Sequence, residues 1–279
     1  GDCLEKTLDV DALLKLGEKA DIDALGSVTV TADGSSQKCE AQKNADLVLQ
    51  NQLSGEKISH SAIRIRLGVA WDEAFCFYYR DNLEFLEKQG VQIVRFSPVH
   101  DKHLPDDLDG LLLGGGYPEL YAKALGENET IRNEIRRKAE EDMPILAECG
   151  GYLYLLKELK DENGTGYEMA GVFSGKGYKK GKNSHFGYIT VQTERDSLYL
   201  KAGETIKGHE FHYWESTQDE NELKMQAKKP TGKRSWPCVT VKNQVMAGFP
   251  HLYYPSLEGF GERFVQACDR YRMKRKRQQ

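Results

Sequence analysis

The stretch MPILAECGGYLYLLKEL, residues 143–159, decides the fold. A short apolar run, ILAE, ends at Cys149, two glycines follow, and a helix-forming segment begins at once. Small residues two before and two after the cysteine, Ala147 and Gly151, are what a sharp strand-to-helix turn of the nucleophile-elbow type requires. Such a turn exposes the sulfur at the carboxyl end of its strand and aims a helix N-terminus at it, which predicts a thiol biased towards thiolate. Cys149 is therefore the expected nucleophile. The plainer reading, a cysteine that merely fills core space after a buried strand, lacks a reason for the paired glycines.

Working outward, IRIRLGVAW from Ile63, VQIVRFSPV and LDGLLLGG read as strands. Between and after them, RDNLEFLEKQG reads as a helix closed by Gly90, and ETIRNEIRRKAEED as a polar helix. Strands alternating with helices predict an α/β fold with a doubly wound, mostly parallel sheet. From about residue 168 the texture changes to EMAGVFSG, HFGYITVQTE, ETIKGHEFHYWE and CVTVKNQVMAGF, expected as antiparallel additions before a closing helix, LEGFGERFVQACDRYR. Ahead of Ile63 lie one amphipathic segment, VDALLKLGEKADIDAL, and a polar stretch over 27–62. The expected organisation is an N-terminal helix and linker over 1–62 and one domain over 63–279.

Composition narrows the function class. The 279 residues carry 39 basic and 43 acidic side chains, a net charge of −4, so the concentrated basic footprint of a nucleic-acid surface is not expected. Apolar runs such as Leu111–Leu113 fall far short of the roughly 20 residues needed to cross a bilayer, and the acidic start GDCLEKTLDVD is no signal peptide. The cytoplasm is the expected compartment. Cys3, Cys39, Cys76, Cys149, Cys238 and Cys268 form no CxxC pair and read as free thiols.

A cysteine that attacks an acyl group needs preorganised N–H donors for the developing oxyanion. LLLGGGYPE, residues 111–119, brings a second glycine-rich strand end to the same crevice, so Gly115 or Gly116 is expected to pair with the N–H of Gly150. The cysteine also needs a base. Of the seven histidines, His60 falls in the linker and His100 and His103 in a polar turn. His209 and His212 form an HxxH pair, but on a strand that spacing sends the rings to opposite faces, so no metal site is expected. His251, after the apolar strand VMAGFP, is favoured over His212 by spacing alone.

VAWDEAFCFYYRDNLEFLEKQG (69–90), FSPVHDKHLPDDLDGLLLGGGYPEL (96–120), ILAECGGYLYL (145–155), GHEFHYWES (208–216) and AGFPHLYYPS (247–256) resemble, in order, the C-terminal glutamine amidotransferase domain of the cobyrinic acid a,c-diamide synthases. The resemblance covers residues 63 to about 268, and VDALLKL is similar to the end of the family's synthetase region. It implies a class I, triad-type, flavodoxin-like amidotransferase that takes the side-chain acyl of glutamine as a cysteinyl thioester and releases ammonia. The family's nucleophile falls on Cys149 and its activating histidine on His251. The orienting glutamate usual two residues after that histidine is absent, since the position is Tyr253, so a Cys-His dyad or an acid from elsewhere is implied. Trp214, Glu215 and Pro250 also depart from the usual blocks.

The family's other half is a synthetase using ATP and Mg²⁺ to activate tetrapyrrole carboxylates, the a and c positions of cobyrinate in cobalamin biosynthesis. Relatives act on hydrogenobyrinate or Ni-sirohydrochlorin. The phosphate-binding pattern G-x-x-x-x-G-K-[ST] does not occur in these residues, and the chain starts at Gly. No cofactor is expected in this chain, which reads as a fragment of a longer enzyme or a subunit serving a separate synthetase. The competing reading is a non-catalytic module of the same fold that docks on a synthetase.

Overall fold

The computed structural model describes residues 65–180, 185–218, 223–231 and 234–277. The helix and linker expected over 1–62, with His60, Cys3 and Cys39, lie outside the described residues.

The parallel core forms where the sequence is most continuously apolar. β1 (Ile65–Ala70), β2 (Val91–Phe96), β3 (Gly110–Leu113) and β4 (Ile145–Glu148) pair in parallel in the order β4-β3-β1-β2. Every residue of β3 and β4 is buried, as strands covered on both faces must be. Alternation divides them between two apolar clusters: Leu111, Leu113, Ile145 and Ala147 enter one, Leu112 and Leu146 the other.

Helices complete both layers. Ile131, Ile135 and Ala139 of α3 (Glu129–Glu140), which follows the short α2 (Ala122–Glu127), join the first cluster, as do the aromatic and aliphatic side chains of α4 (Gly150–Leu155). Leu86 of α1 (Arg80–Lys88) and Phe260, Phe264, Ala267 and Cys268 of α5 (Phe260–Lys276) join the second. α1 ends as expected, with Gly90 in the left-handed region at φ 84°.

The remaining strands run in chain order: β5 (Glu158–Lys160), β6 (Gly166–Glu168), β7 (Lys176–Lys179), β8 (Phe186–Gln192), β9 (Thr205–Phe211), β10 (Trp214–Ser216), β11 (Leu223–Lys228), β12 (Ser235–Lys242), β13 (Val245–Gly248) and β14 (His251–Leu252). Three expectations need correction. EMAGVFSG is not a strand: only Glu168 belongs to one, and Met169 to Phe173 pack irregularly into the core. ETIKGHEFHYWE breaks after Phe211, and β10 leaves for a separate four-stranded sheet ordered β10-β7-β5-β6. β13, expected among the antiparallel additions, pairs in parallel with β4, Gly248 opposite Glu148, while staying antiparallel to β12.

The large sheet runs β14-β9-β8-β11-β12-β13-β4-β3-β1-β2. β13 and β14 are five strand spacings apart in that order, about 24 Å if the sheet were flat. Yet the chain passes from Gly248 to His251 in three residue steps, a reach of about 10 Å. The antiparallel strands must therefore curl until β14 returns beside the end of β13. This curl carries His251 back to the elbow.

Candidate active site

The elbow has the geometry its glycines foretold. Cys149 sits at φ 50°, ψ −102°, a left-handed-side conformation that costs a side-chain-bearing residue energy and is held by its surroundings. Its N–H donates to the Gly248 carbonyl of β13 at 2.8 Å, and its carbonyl accepts the first helical bond from Leu153 at 3.0 Å. Gly151 lies so close to β3 that a Cβ there would fall 2.1 Å from the Leu113 carbonyl oxygen.

The thiol itself differs from the expectation. α4 spans six residues, and burial outweighs its dipole: desolvation, with the nearby Glu119 carboxylate next, pushes the Cys149 thiol up to about 12, while a hydrogen bond from the Gly150 N–H works the other way. At neutral pH Cys149 rests as a thiol, so any attack by its sulfur would first need a base to take the proton.

Of the glycines expected to provide oxyanion donors, Gly115 does not. Its N–H donates to the Phe77 carbonyl at 3.2 Å and its carbonyl accepts from Phe77 at 3.0 Å. What its missing side chain supplies is room, because a Cβ would stand 2.4 Å from Cε1 of His251. The N–H of Gly116 is the freer of the two. A Cβ on Gly150 would lie 3.0 Å from the Gly116 nitrogen, so the two backbones meet beside the cysteine, and among the described residues the Gly116 N–H donates to no carbonyl.

His251, on β14, is buried at 5% exposure, edge-on to Phe77 with ring centroids 4.7 Å apart. Burial, reinforced by His209 and His212, pulls its pKa down to about 3, so it rests as a neutral imidazole able to accept a proton. Tyr253, two residues after His251, hydrogen-bonds Asp81 at 3.1 Å and offers His251 no acid. The acid comes from β4. Glu148, the residue before Cys149, places Oε2 3.8 Å from His251 Nδ1, while its Oε1 accepts from the Leu252 N–H at 3.3 Å and the Tyr254 hydroxyl at 3.2 Å. Desolvation raises the Glu148 carboxyl to about 8, although both hydrogen bonds oppose the shift. Sequence reasoning did not find Glu148; its signal was an ionisable residue ending a strand buried along its whole length.

A cavity of about 390 Å³ joins these parts, lined by Cys149, His251, Gly116 and Glu119 among others, a size suited to an amino acid. Glu119, a second residue that sequence reasoning did not single out, has its carboxyl raised to about 7, chiefly by desolvation. His209 and His212 both face this cavity, contrary to the opposite-face expectation, because β9 ends at Phe211 and strand alternation does not extend to His212. His212 stacks on Phe249 with centroids 3.9 Å apart. His100 and His103 are exposed, paired with Glu73 and Glu134 at 2.7 and 2.8 Å. The four described cysteines are free thiols, and no described helix is long and apolar enough to cross a membrane.

Residues 66–257 match the model of the CobB/CobQ-like glutamine amidotransferase domain. The chain belongs to this family. This amidotransferase domain is 38% identical over 209 residues to the cobyrinate a,c-diamide synthase of Caldanaerobacter subterraneus, covering 75% of this chain and 46% of that protein. It is 34% identical over 267 residues to the enzyme of the same name from Picrophilus torridus, covering 96% of this chain and 52% of that protein. The chain thus spans about half the length of these curated relatives. Among solved structures, the fold resembles PurLQS from Thermotoga maritima, at 18% identity and a TM-score of 0.51, covering 75% of this chain and 99% of that one. The α/β amidotransferase fold expected from the sequence is the one observed.

Proposed function

We propose that this domain hydrolyses glutamine at Cys149 and supplies the ammonia for ATP-dependent amidation of the a and c carboxylates of cobyrinate. The observation that carries the glutaminase step is the convergence of Cys149, a neutral His251 and the Gly116 backbone on one cavity. His251 takes the Cys149 proton as the sulfur attacks the glutamine amide carbon. The oxyanion is held by the N–H groups of Gly116 and Gly150. The imidazolium returns its proton to the departing ammonia, leaving a glutamyl thioester, and His251 then activates the water that frees glutamate. Glu148 is a positioning residue: its Oε2 faces Nδ1 and favours the transient imidazolium.

The acceptor rests on the names of the relatives and on their extra length. In this reading the remaining half of such a protein, or a separate synthetase subunit, binds ATP, Mg²⁺ and the tetrapyrrole in the cytoplasm, and the Cys149 cavity feeds it ammonia. Hydrogenobyrinate and Ni-sirohydrochlorin have the same carboxylate chemistry and are the alternative acceptors. The test is glutamate release from glutamine, with and without a synthetase partner, followed by amidation assays on each tetrapyrrole. Wild type releases glutamate and Cys149→Ala does not; equal release by both would end the proposal.

A further inference from the structure

Beside the glutaminase cavity, three side chains the mechanism does not use converge. His185, Glu210 and His212 each bring one ligand atom within 4.8 Å of the other two. Glu210 lies on β9, where it is 1% exposed, His212 follows the end of that strand, and His185 directly precedes β8.

The hydrogen bonds define what His212 offers. Its Nδ1 lies 2.6 Å from the Trp214 carbonyl oxygen, and a carbonyl can only accept, so the proton is on Nδ1. In the neutral ring Nε2 then carries a bare lone pair. That atom is buried, has no hydrogen-bond partner among the described residues, and stands 3.7 Å from Oε2 of Glu210. A lone pair and a carboxylate oxygen facing each other away from water call for a cation between them. A backbone carbonyl on the far nitrogen is also how proteins fix imidazoles that ligate metals.

The carboxylate is held in a matching way. Trp236 Nε1 donates to both Glu210 oxygens, at 3.1 and 3.4 Å, and the same indole ring stacks on His185 with centroids 4.3 Å apart and planes 20° from parallel. One tryptophan thus orients two of the three groups.

We propose that His185, Glu210 and His212 bind one divalent ion of the zinc class. Two imidazoles and one carboxylate form an N₂O donor set suited to Zn²⁺, with water left to complete a tetrahedron. Binding draws the ligand atoms inward, since bonds of about 2.0–2.1 Å put tetrahedral ligands roughly 3.4 Å apart. The ion ties the start of β8 to the end of β9 and fixes His212, a wall of the cavity that holds Cys149.

The full chain, stripped with a chelator and passed free of it, is titrated with Zn²⁺ by calorimetry and with Co²⁺ by absorption. The expected result is one ion per chain, visible bands of a nitrogen and oxygen site without the intense near-ultraviolet band of thiolate ligation, and a Tm rise of about 5–10 °C at a hundredfold excess over Kd. Affinity should fall at least about tenfold in His185→Ala and in Glu210→Gln, a loss of about 1.4 kcal/mol or more. Glu210→Gln keeps an acceptor for Trp236, and circular dichroism reports whether each variant is folded. Because the wild-type titration needs no variant, absence of saturable binding there overturns the proposal. So does a thiolate band, or unchanged affinity in both variants.

Discussion

Oε2 of Glu148 stands 3.8 Å from Nδ1 of His251, with 9% and 7% of the two side chains exposed. The acid that faces His251 is thus the residue adjoining Cys149, delivered by β4, and not one following the histidine on its own strand. Neutral His251 and a carboxyl raised to about 8 form a pair in which charge is costly until the reaction creates it.

Replacing Glu148 with Gln keeps an acceptor for Leu252 and Tyr254 but removes the negative charge. We expect glutaminase kcat/KM to fall about 100-fold. The wild-type pH profile should climb as pH rises through about 8, where Glu148 ionises, and the variant should lack that limb. A profile that keeps the limb in Glu148→Gln would assign it to another group.

Gly115→Ala tests the packing of His251. The new Cβ would lie 2.4 Å from His251 Cε1, so the ring must move. Overpacking of this kind costs about 1–3 kcal/mol of stability, seen as a lower midpoint in denaturant. Glutamate release should drop by more than tenfold while α-helical circular dichroism is retained. Unimpaired turnover would mean that the observed imidazole position is not the working one.

The two buried groups make opposite contributions to stability as pH changes. The His251 pKa falls from 6.5 to about 3 on folding, so the unfolded chain binds the extra proton between those values. This contribution is present above pH 6.5 and is lost as pH falls towards 3. The Glu148 pKa rises from 4.5 to about 8, so here the folded chain binds the extra proton. Its contribution is present below pH 4.5 and is lost as pH rises through 8. Thermal unfolding from pH 4 to 9 should show Glu148→Gln losing less stability than wild type on the alkaline side. Parallel curves would contradict the raised carboxyl.

Thiol labelling distinguishes a resting thiol from a standing thiolate. With Cys149 buried and pushed up to about 12, iodoacetamide at pH 7.5 should modify exposed Cys76 well before Cys149. A glutamine-like diazoketone fills the cavity and should label Cys149 alone, a reaction lost in His251→Ala. Peptide mass mapping reads both. Rapid modification of Cys149 by iodoacetamide would indicate an activated thiolate at rest, the opposite of a thiol raised by burial.

Much of this was legible because its causes are local. Ala147, Cys149 and Gly151 specify the elbow through their small size and their spacing, and unbroken apolar runs such as ILA and LLL have no use outside a sheet covered on both faces. EMAGVFSG misled for a related reason: its apolar residues are buried, but irregular backbone can bury side chains as well as a strand can.

By itself, then, the sequence determined an α/β amidotransferase domain with Cys149 on the turn after its fourth strand and His251 after a late apolar strand. Only the tertiary structure decided which N–H is available, which acid faces His251, and that the thiol rests protonated. Gly115 and Gly116 are neighbours of one residue type, yet a bridge to Phe77 occupies one and leaves the other. Glu148 and His251 are 103 positions apart in the chain, brought together by the parallel pairing of β13 with β4 and the curl that returns β14. Hydrogen-bond availability and desolvation depend on what packs around a group in space, and neither can be read from the residue types alone.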